Sequence, residues 1–206
     1  MTCEKPPALD SLERAQARAI AMKPLKKNAT YDDLREVPDH FVAEMFDGDL
    51  YASPRPAIPH TRAASVLGAA LTGPFDQGRN GPGGWLILDE PELHFGNDVL
   101  VPDLAAWRRT RLPALAADAY LTLAPDWACE VLSASTERLD RGEKLRVYAR
   151  ERVAYVWLID PSRRTLEVLA LDRRGQWAER GPFEGRANVR AAPFDAIELE
   201  LGSLWI

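Results

Sequence analysis

Apolar and polar residues alternate along two neighbouring stretches of the chain, and this alternation predicts two strands. One face of the first strand would carry Val101, Asp103, Ala105 and Trp107. One face of the second, within residues 126–132, would carry Ala128, Glu130 and Leu132. An acid therefore lies on a largely apolar face of each predicted strand.

Helical spacing of apolar residues predicts helices elsewhere. Residues 9–20 form one such pattern and end before Pro24, and a short helix is expected between the capping residue Thr30 and Pro38. Another helix is expected from about His60 to Leu71, followed by the glycine-rich loop 72–84.

A helix carrying Leu145, Tyr148 and Ala149 on its buried face follows the second acidic strand. Its start is open between two residues: Thr136 could cap it, or Asp140 could do so in a capping box with Glu143.

The remaining strands follow from turn signals and apolar runs. The Asp-Gly pair at 47–48 predicts a hairpin within residues 41–53, and residues 85–96 read as one strand with a bulge at Pro91. Residues 155–160 are nearly all apolar, as in a central strand, and the helix before them predicts a parallel pairing with the 126–132 strand. An antiparallel meander around Trp177 and a final run to Leu201 complete the prediction.

Composition narrows the class of protein. The 206 residues are 46% hydrophobic, which suits one domain of ordinary size. No apolar run is long enough to span a bilayer and no charged-then-apolar signal is apparent, so we expect a protein without membrane association. The two cysteines, Cys3 and Cys129, form no disulfide framework, which fits a reducing cytoplasm, and Cys129 is expected in the core. A net charge of −5 argues against a broad electrostatic grip on nucleic acid but allows a local basic patch.

Asp103 and Glu130 are the first candidates for chemistry. A carboxylate on an apolar strand face loses hydration and, when ionised, needs a cation as partner. Two acids on adjacent strands could share one divalent cation, and Lys144 follows on the next helix, so the three residues form a catalytic hypothesis. The alternative for the lysine is a surface ion pair with Asp140 at i,i+4 spacing, worth only about 0.3–0.5 kcal/mol.

Other candidate residues each have a structural alternative. Glu44 alternates with apolar neighbours and could point inward or lie on a strand edge. His60 and Arg62 begin a helix, where an anion could bind, but a surface histidine would have the same sequence. Glu90, Glu92 and His94 could form a metal trio or an exposed strand face. Arg108, Arg109 and Arg111 could contact a nucleic-acid backbone. Lys23, Lys26 and Lys27 form a basic patch that could be solvated or could bind a polyanion.

Six blocks in order carry a resemblance to a known family. They are FVAEMFDGDL, SPRPAIPH, VLVPDLAAWRR, PDWACEVLSAST, DRGEKLRVYAR and VAYVWLIDP. Together they resemble the Uma2 family of proposed endonucleases, formerly a domain of unknown function, within the PD-(D/E)XK nuclease-like superfamily. The resemblance covers about residues 30 to 203.

The resemblance implies an α/β (α+β) restriction-endonuclease-like core, with a mixed β-sheet flanked by helices and an N-terminal helix and hairpin. We expect a helical extension at residues 1–29 and one such domain at 30–206. The implied activity is hydrolysis of nucleic-acid phosphodiester bonds, in DNA, with Mg²⁺ or Mn²⁺ as cofactor. A homodimer is a further expectation, because cleavage of both strands is easiest with two sites.

Site residues follow from the resemblance block by block. Asp103 and Glu130 would hold the metal, and Glu44 would be a further ligand for metal or water. The superfamily lysine normally stands two residues after the second acid, where this chain has Leu132, and Lys144 in the DRGEK block takes its place. Its long, flexible side chain can reach the same point from a helix. His60 matches a family histidine, and with Arg62, Arg108 and Arg109 it is a predicted nucleic-acid contact.

The sequence also allows two other classes of function. The fold could persist as a catalytically inactive binding or interaction module, although the retained Asp103, Glu130 and Lys144 argue against loss of activity. The paired acids could instead hydrolyse a glycosidic bond, which activity in EDTA would favour. The lysine and the strand positions of the acids fit a glycosidase poorly.

Overall fold

The computed structural model describes residues 23–115 and 117–205. The helix predicted at 9–20, and with it most of the proposed extension 1–29, lies outside these residues. The helical segments are α1 (Tyr31–Arg35), α2 (Ile58–Leu71) with a π-helical turn at Thr72–Asp76, α3 (Glu137–Leu139), a π-helical turn at Asp140–Lys144, α4 (Leu145–Arg150) and a 3₁₀ turn at Leu201–Ser203.

Twelve strands are present in the described part of the chain. In order they are β1 (Phe41–Phe46), β2 (Asp49–Pro54), β3 (Trp85–Asp89), β4 (Leu93–Phe95), β5 (Asp98–Leu100), β6 (Leu104–Arg108), β7 (Trp127–Val131), β8 (Tyr155–Asp160), β9 (Thr165–Leu171), β10 (Trp177–Glu184), β11 (Asn188–Val189) and β12 (Leu199–Glu200).

A mixed six-stranded sheet forms the centre of the molecule, in the order β10-β9-β8-β7-β6-β3. β7 and β8 are parallel and the other neighbours are antiparallel, as the strand–helix–strand pattern predicts. The helical segment between β7 and β8 makes the crossover. The predicted mixed sheet flanked by helices is therefore confirmed.

The two faces of this sheet carry separate apolar cores. Trp127, Cys129 and Trp157 face one core, where Leu67 of α2 packs. The opposite face carries Ala105, Trp107, Ala128 and Leu132. Val147 and Tyr148 of the helical segment that follows β7 pack against them. Side chains alternate between the faces as the sequence predicts, and Cys129 is buried.

A smaller four-stranded sheet has the order β2-β1-β5-β4. The Asp-Gly hairpin joins β1 to β2, with Asp47 and Gly48 both at positive φ in the turn. Thr30 caps α1 in a capping box with Asp33, as predicted from the sequence.

Two strand predictions are wrong in part. Residues 85–96 are not one bulged strand: β3 and β4 belong to different sheets, and the chain turns between them at Glu90, which has a positive φ. The run 101–107 is likewise no continuous strand, because β5 ends at Leu100 and β6 begins at Leu104. Asp103 lies in the bend where the chain passes from one sheet to the other.

No helix in the described residues is both long enough and apolar enough to cross a bilayer.

Candidate functional site

Two acids meet in the middle of the central sheet, where β6 begins and β7 ends. Leu104 of β6 pairs with Cys129 of β7, so Asp103 follows in register beside Glu130, and both lie on the face that contains Ala105 and Ala128. The backbone N–H of Val131 donates a hydrogen bond of 2.7 Å to Asp103 Oδ2. This bond fixes the Asp103 carboxylate against the strand that carries Glu130.

Lys144 reaches Glu130 from the helical segment above this face. Its Nζ lies 2.9 Å from Glu130 Oε2 and 3.3 Å from the carbonyl oxygen of Val101. One turn further along, the hydroxyl of Tyr148 donates to Glu130 Oε1 at 2.5 Å. Both carboxylate oxygens of Glu130 therefore accept bonds from one side of one helix.

Glu44 joins the group from β1. Its Oε1 lies 3.0 Å from Lys144 Nζ and accepts a 2.9 Å hydrogen bond from the backbone of Val101. Only 4% of the residue is exposed, so of the two orientations left open by the sequence Glu44 adopts the inward one.

His60 approaches the same group from the first turn of α2. Its Nε2 lies 3.3 Å from Asp103 Oδ1, and its Nδ1 is buried without a hydrogen-bond partner in the described part of the chain. Pro59 at the second helical position suits the helix start, where no N–H bond is needed. His60 is thus largely buried rather than a surface histidine.

Asp140 is the fourth carboxylate of the group. Its Oδ1 lies 3.4 Å from Lys144 Nζ, and only 2% of the residue is exposed. The alternative of a surface Asp140–Lys144 pair is therefore wrong. Asp140 also does not cap the helix, because its own N–H donates to the carbonyl oxygen of Thr136, which precedes α3.

Burial and charge crowding shift the pKa values of this cluster. Burial raises the pKa of Glu130 well above its ordinary range; the Lys144 ammonium opposes this rise, and the carboxylates of Asp140, Asp103 and Glu44 add to it. Burial raises the pKa of Asp140 to about 6, against the opposing effect of Lys144. Burial disfavours the ammonium of Lys144, but the carboxylates of Glu130, Glu44 and Asp140 outweigh burial and raise its pKa well above the ordinary value. Lys144 is therefore charged, and the acids compete for it.

These side chains form the wall of an open cleft of about 680 Å³. Glu44, His60, Asp103, Glu130, Asp140 and Lys144 all line the cleft. Arg55 and the hydroxyl-rich segment 133–136 also line the cleft and, being more exposed, form its rim. The cleft thus has a crowded anionic wall and a polar rim, an arrangement able to hold a cation next to a polar substrate.

The arginines predicted to contact nucleic acid lie outside the cleft. Arg108 is at the far end of β6 from Asp103, and its guanidinium lies over the ring of Trp85. Arg109 pairs with Asp76, and Arg62 donates to the carbonyl oxygen of Ser203. None of these three arginines lines the cleft.

The remaining candidate sets are also dispersed. Glu92 and His94 bond each other at 2.7 Å, while Glu90 lies apart on the rim of the cleft, so the predicted trio does not share one face. Arg111 pairs with Asp126, and Lys26 of the basic patch pairs with Asp33.

Sequence reasoning did not assign Asp140 and Tyr148 to the site. Their signal was present, because Asp140, Lys144 and Tyr148 repeat at i,i+4 spacing and so share one side of a helix. The spacing does not say whether that side of the helix faces the sheet or the solvent, because this depends on tertiary packing.

No preformed metal-ligand group exists among the described residues: no three histidine, cysteine or acidic side chains are arranged to hold an ion. The reason is visible in the cluster, where the carboxylates of Glu44, Glu130 and Asp140 converge on the ammonium of Lys144. The donor chemistry nevertheless suits Mg²⁺, since all four acids offer carboxylate oxygens and one lysine does not balance four carboxylates.

Comparisons with known proteins establish the family and the fold of the chain. The family model of Uma2, described as “Putative restriction endonuclease”, matches residues 29–202. A crystal structure described as a putative nuclease belonging to DUF820, from Anabaena variabilis, is similar with a TM-score of 0.68 and 21% sequence identity. The similarity covers 85% of this chain and 96% of that one, and it establishes a shared fold. No curated protein matches the chain. The family match spans most of the sequence, and the chain therefore belongs to the Uma2 family.

Proposed function

We propose that this protein is a metal-dependent endonuclease that hydrolyses phosphodiester bonds of nucleic acid, with DNA as substrate. One observation carries the proposal: Asp103, Glu130, Lys144 and Glu44, which are far apart in sequence, line a single cleft. Buried carboxylates beside a charged lysine are costly for stability, which favours a functional role for the cluster.

Asp103 and Glu130 are the proposed ligands of Mg²⁺ or Mn²⁺. Their carboxylate oxygens are the donors that these ions prefer, and the excess of negative charge in the cluster favours a divalent cation. Such an ion, when bound, neutralises charge on the phosphoryl oxygens and lowers the pKa of a water molecule. Glu44, whose Oε1 lies 3.0 Å from Lys144 Nζ, would be a further ligand for the metal or for a water.

Lys144 has two possible tasks at the reacting phosphate. Its charged ammonium could orient the attacking water or stabilise negative charge in the transition state. Both tasks need the Nζ to face the cleft, and Lys144 lines the cleft close to Glu130. The lysine at this helix position would replace the superfamily lysine absent at Leu132.

Nucleic acid would enter along the rim of the cleft. His60, beside Asp103, is the proposed contact nearest to the scissile phosphate. Contacts of Arg62, Arg108 and Arg109 with a longer duplex remain a prediction, as does a homodimer that presents two clefts to the two strands. The net charge of −5 makes weak general affinity for DNA the expected behaviour.

The test is nicking of supercoiled plasmid in Mg²⁺ or Mn²⁺ by the wild type, Glu130→Gln and Lys144→Met. Glutamine keeps the shape of Glu130 but removes its charge, and methionine keeps most of the length of Lys144. We expect cleavage by the wild type only with metal, and a loss of at least about 100-fold in each variant. Asp98→Asn is the matched control, because Asp98 is also a buried acid but lies outside this cleft and pairs with Arg150.

Cleavage that persists in Glu130→Gln would place the activity elsewhere or in a contaminant. Activity that survives EDTA would contradict the metal requirement and would favour a metal-independent hydrolase. Single-stranded DNA and RNA, tested in parallel with duplex DNA, would identify the class of nucleic acid.

A catalytically inactive binding module is the second candidate. It is favoured by one observation, the absence of a preformed metal-ligand group among the residues that the structure describes. Under this alternative no form of the protein cleaves any nucleic acid, and calorimetry detects no binding of Mg²⁺ or Mn²⁺.

A further inference from the structure

Two side chains in the described part of the chain bond the carboxylate of Glu130, and of these Tyr148 does not line the cleft whereas Lys144 does. The tyrosine is fully buried, and its hydroxyl donates to Glu130 Oε1 at 2.5 Å. A hydrogen bond from a hydroxyl to a carboxylate is at the strong end of the range, and burial strengthens it further. Glu130 itself is only 1% exposed, so water cannot replace this donor freely.

The bond to Tyr148 complements the bond to Lys144. Lys144 holds Glu130 Oε2 at 2.9 Å, and Tyr148, four residues later on the same side of the helix, holds Oε1. Two donors on two oxygens fix both the position of the carboxylate and the rotation of its plane. If Lys144 turns toward a substrate, Tyr148 is the side chain that still orients Glu130.

We propose that Tyr148 is a positioning residue that sets the orientation of the Glu130 carboxylate for binding a divalent cation. The inference rests on the proposed metal-dependent function. Because Tyr148 does not reach the cleft, it does not touch nucleic acid and acts through Glu130 alone. A tyrosine that served only as packing would need its ring and not its hydroxyl.

The substitution Tyr148→Phe separates these two roles. It keeps the ring within the core formed with Val147 and Leu158 and removes only the donor. Residues that orient a metal ligand typically change affinity or activity by 10–100-fold when they are lost. We expect affinity for Mn²⁺, measured by calorimetry without nucleic acid, to fall about tenfold, and kcat for nicking to fall similarly with KM unchanged.

Tyr155→Phe is the matched control. Tyr155 is a half-buried tyrosine of β8, and its ring packs on the other face of the sheet. The substitution Tyr155→Phe should leave both the affinity for Mn²⁺ and the kcat for nicking at wild-type values. If Tyr148→Phe behaves like this control while the wild type binds Mn²⁺ and cleaves DNA, the inference about Tyr148 is wrong and the proposed function stands. If the wild type binds no Mn²⁺, the proposed function fails and the inference fails with it.

A measurement on the wild-type side chain covers the case in which Tyr148→Phe does not fold. The protein has five tyrosines, so 3-fluorotyrosine labelling gives five ¹⁹F resonances, and Tyr148 is assigned by replacing the other four in turn. Mg²⁺ should shift the Tyr148 resonance in the wild type and leave it unmoved in Glu130→Gln. A Tyr148 resonance that ignores saturating Mg²⁺ in a metal-binding wild type would overturn the inference.

Discussion

Asp140 illustrates how a buried acid can weaken a fold at neutral pH. It lies 3.4 Å from Lys144, but Glu130 and Glu44 approach the same ammonium more closely. Burial raises the pKa of Asp140 from its ordinary 3.8 to about 6. The folded protein therefore binds this proton more tightly than the unfolded chain does, and the stability gained from it is present below about pH 4 and lost as the pH rises through about 6.

Asp140→Asn, which cannot ionise, should gain stability relative to the wild type as the pH rises. Between about pH 4 and pH 7 the difference in free energy of unfolding should shift in favour of the variant by on the order of 2 kcal/mol. Urea unfolding at several pH values measures this difference. Glu179→Gln removes the same charge from the exposed strand β10 and controls for overall charge. Parallel curves for Asp140→Asn and wild type would contradict the raised pKa.

At the scale of elements, the segment 137–150 carries Asp140, Lys144 and Tyr148 toward the sheet. A π-helical turn at Asp140–Lys144 lies between α3 and α4, and such turns are often found at functional sites. Gly142 lies inside this turn, at a negative φ and with open space around the position of an added Cβ. Glycine at such a position adds conformational freedom to the unfolded chain without serving a close contact.

Gly142→Ala should therefore stabilise the protein by about 0.5–1 kcal/mol, through a smaller loss of backbone entropy on folding. Chemical denaturation measures the gain. Gly181→Ala is the contrasting control, because Gly181 has a φ of +113° and an added Cβ would lie 3.0 Å from the carbonyl oxygen of Leu166. That control should lose stability. Destabilisation by Gly142→Ala would mean that the π-helical turn requires glycine.

The elements that sequence predicts well are those specified by local chemistry. The Asp-Gly hairpin, the capping box at Thr30 and the apolar strand β8 depend on neighbouring residues and are confirmed. The break at Glu90 and the bend at Asp103 are the two places where the chain passes between the six-stranded and the four-stranded sheet. No local sequence pattern reveals such a passage. The inward orientation of the Asp140 side chain and the hydrogen bond from the Tyr148 hydroxyl likewise depend on which face of the helical segment meets the sheet.

At the scale of the whole molecule, the buried acids of the cleft differ from the exposed acids of the surface. The exposed acids of the described chain that pair with arginine, such as Asp47 with Arg146, lie on the surface, where solvent weakens both attraction and repulsion. In the cleft, Glu44, Glu130 and Asp140 share the ammonium of Lys144, and Asp103 lies beside Glu130. The electrostatic strain of this arrangement is relieved only by protons or by a cation.

Binding of Mg²⁺ to the folded protein alone should therefore raise its stability by mass action. At a concentration one hundredfold above Kd the gain is about 2.7 kcal/mol, which corresponds to a rise in Tm of roughly 5–10 °C for a chain of this size. Differential scanning calorimetry in Mg²⁺, against NaCl of equal ionic strength, should show this rise for the wild type and a much smaller one for Asp103→Asn and Glu130→Gln. Asp98→Asn, a buried acid outside the cleft, should respond as the wild type does. An equal rise in Tm for all four proteins would mean that Mg²⁺ acts by general screening of charge and that the cleft does not bind the metal.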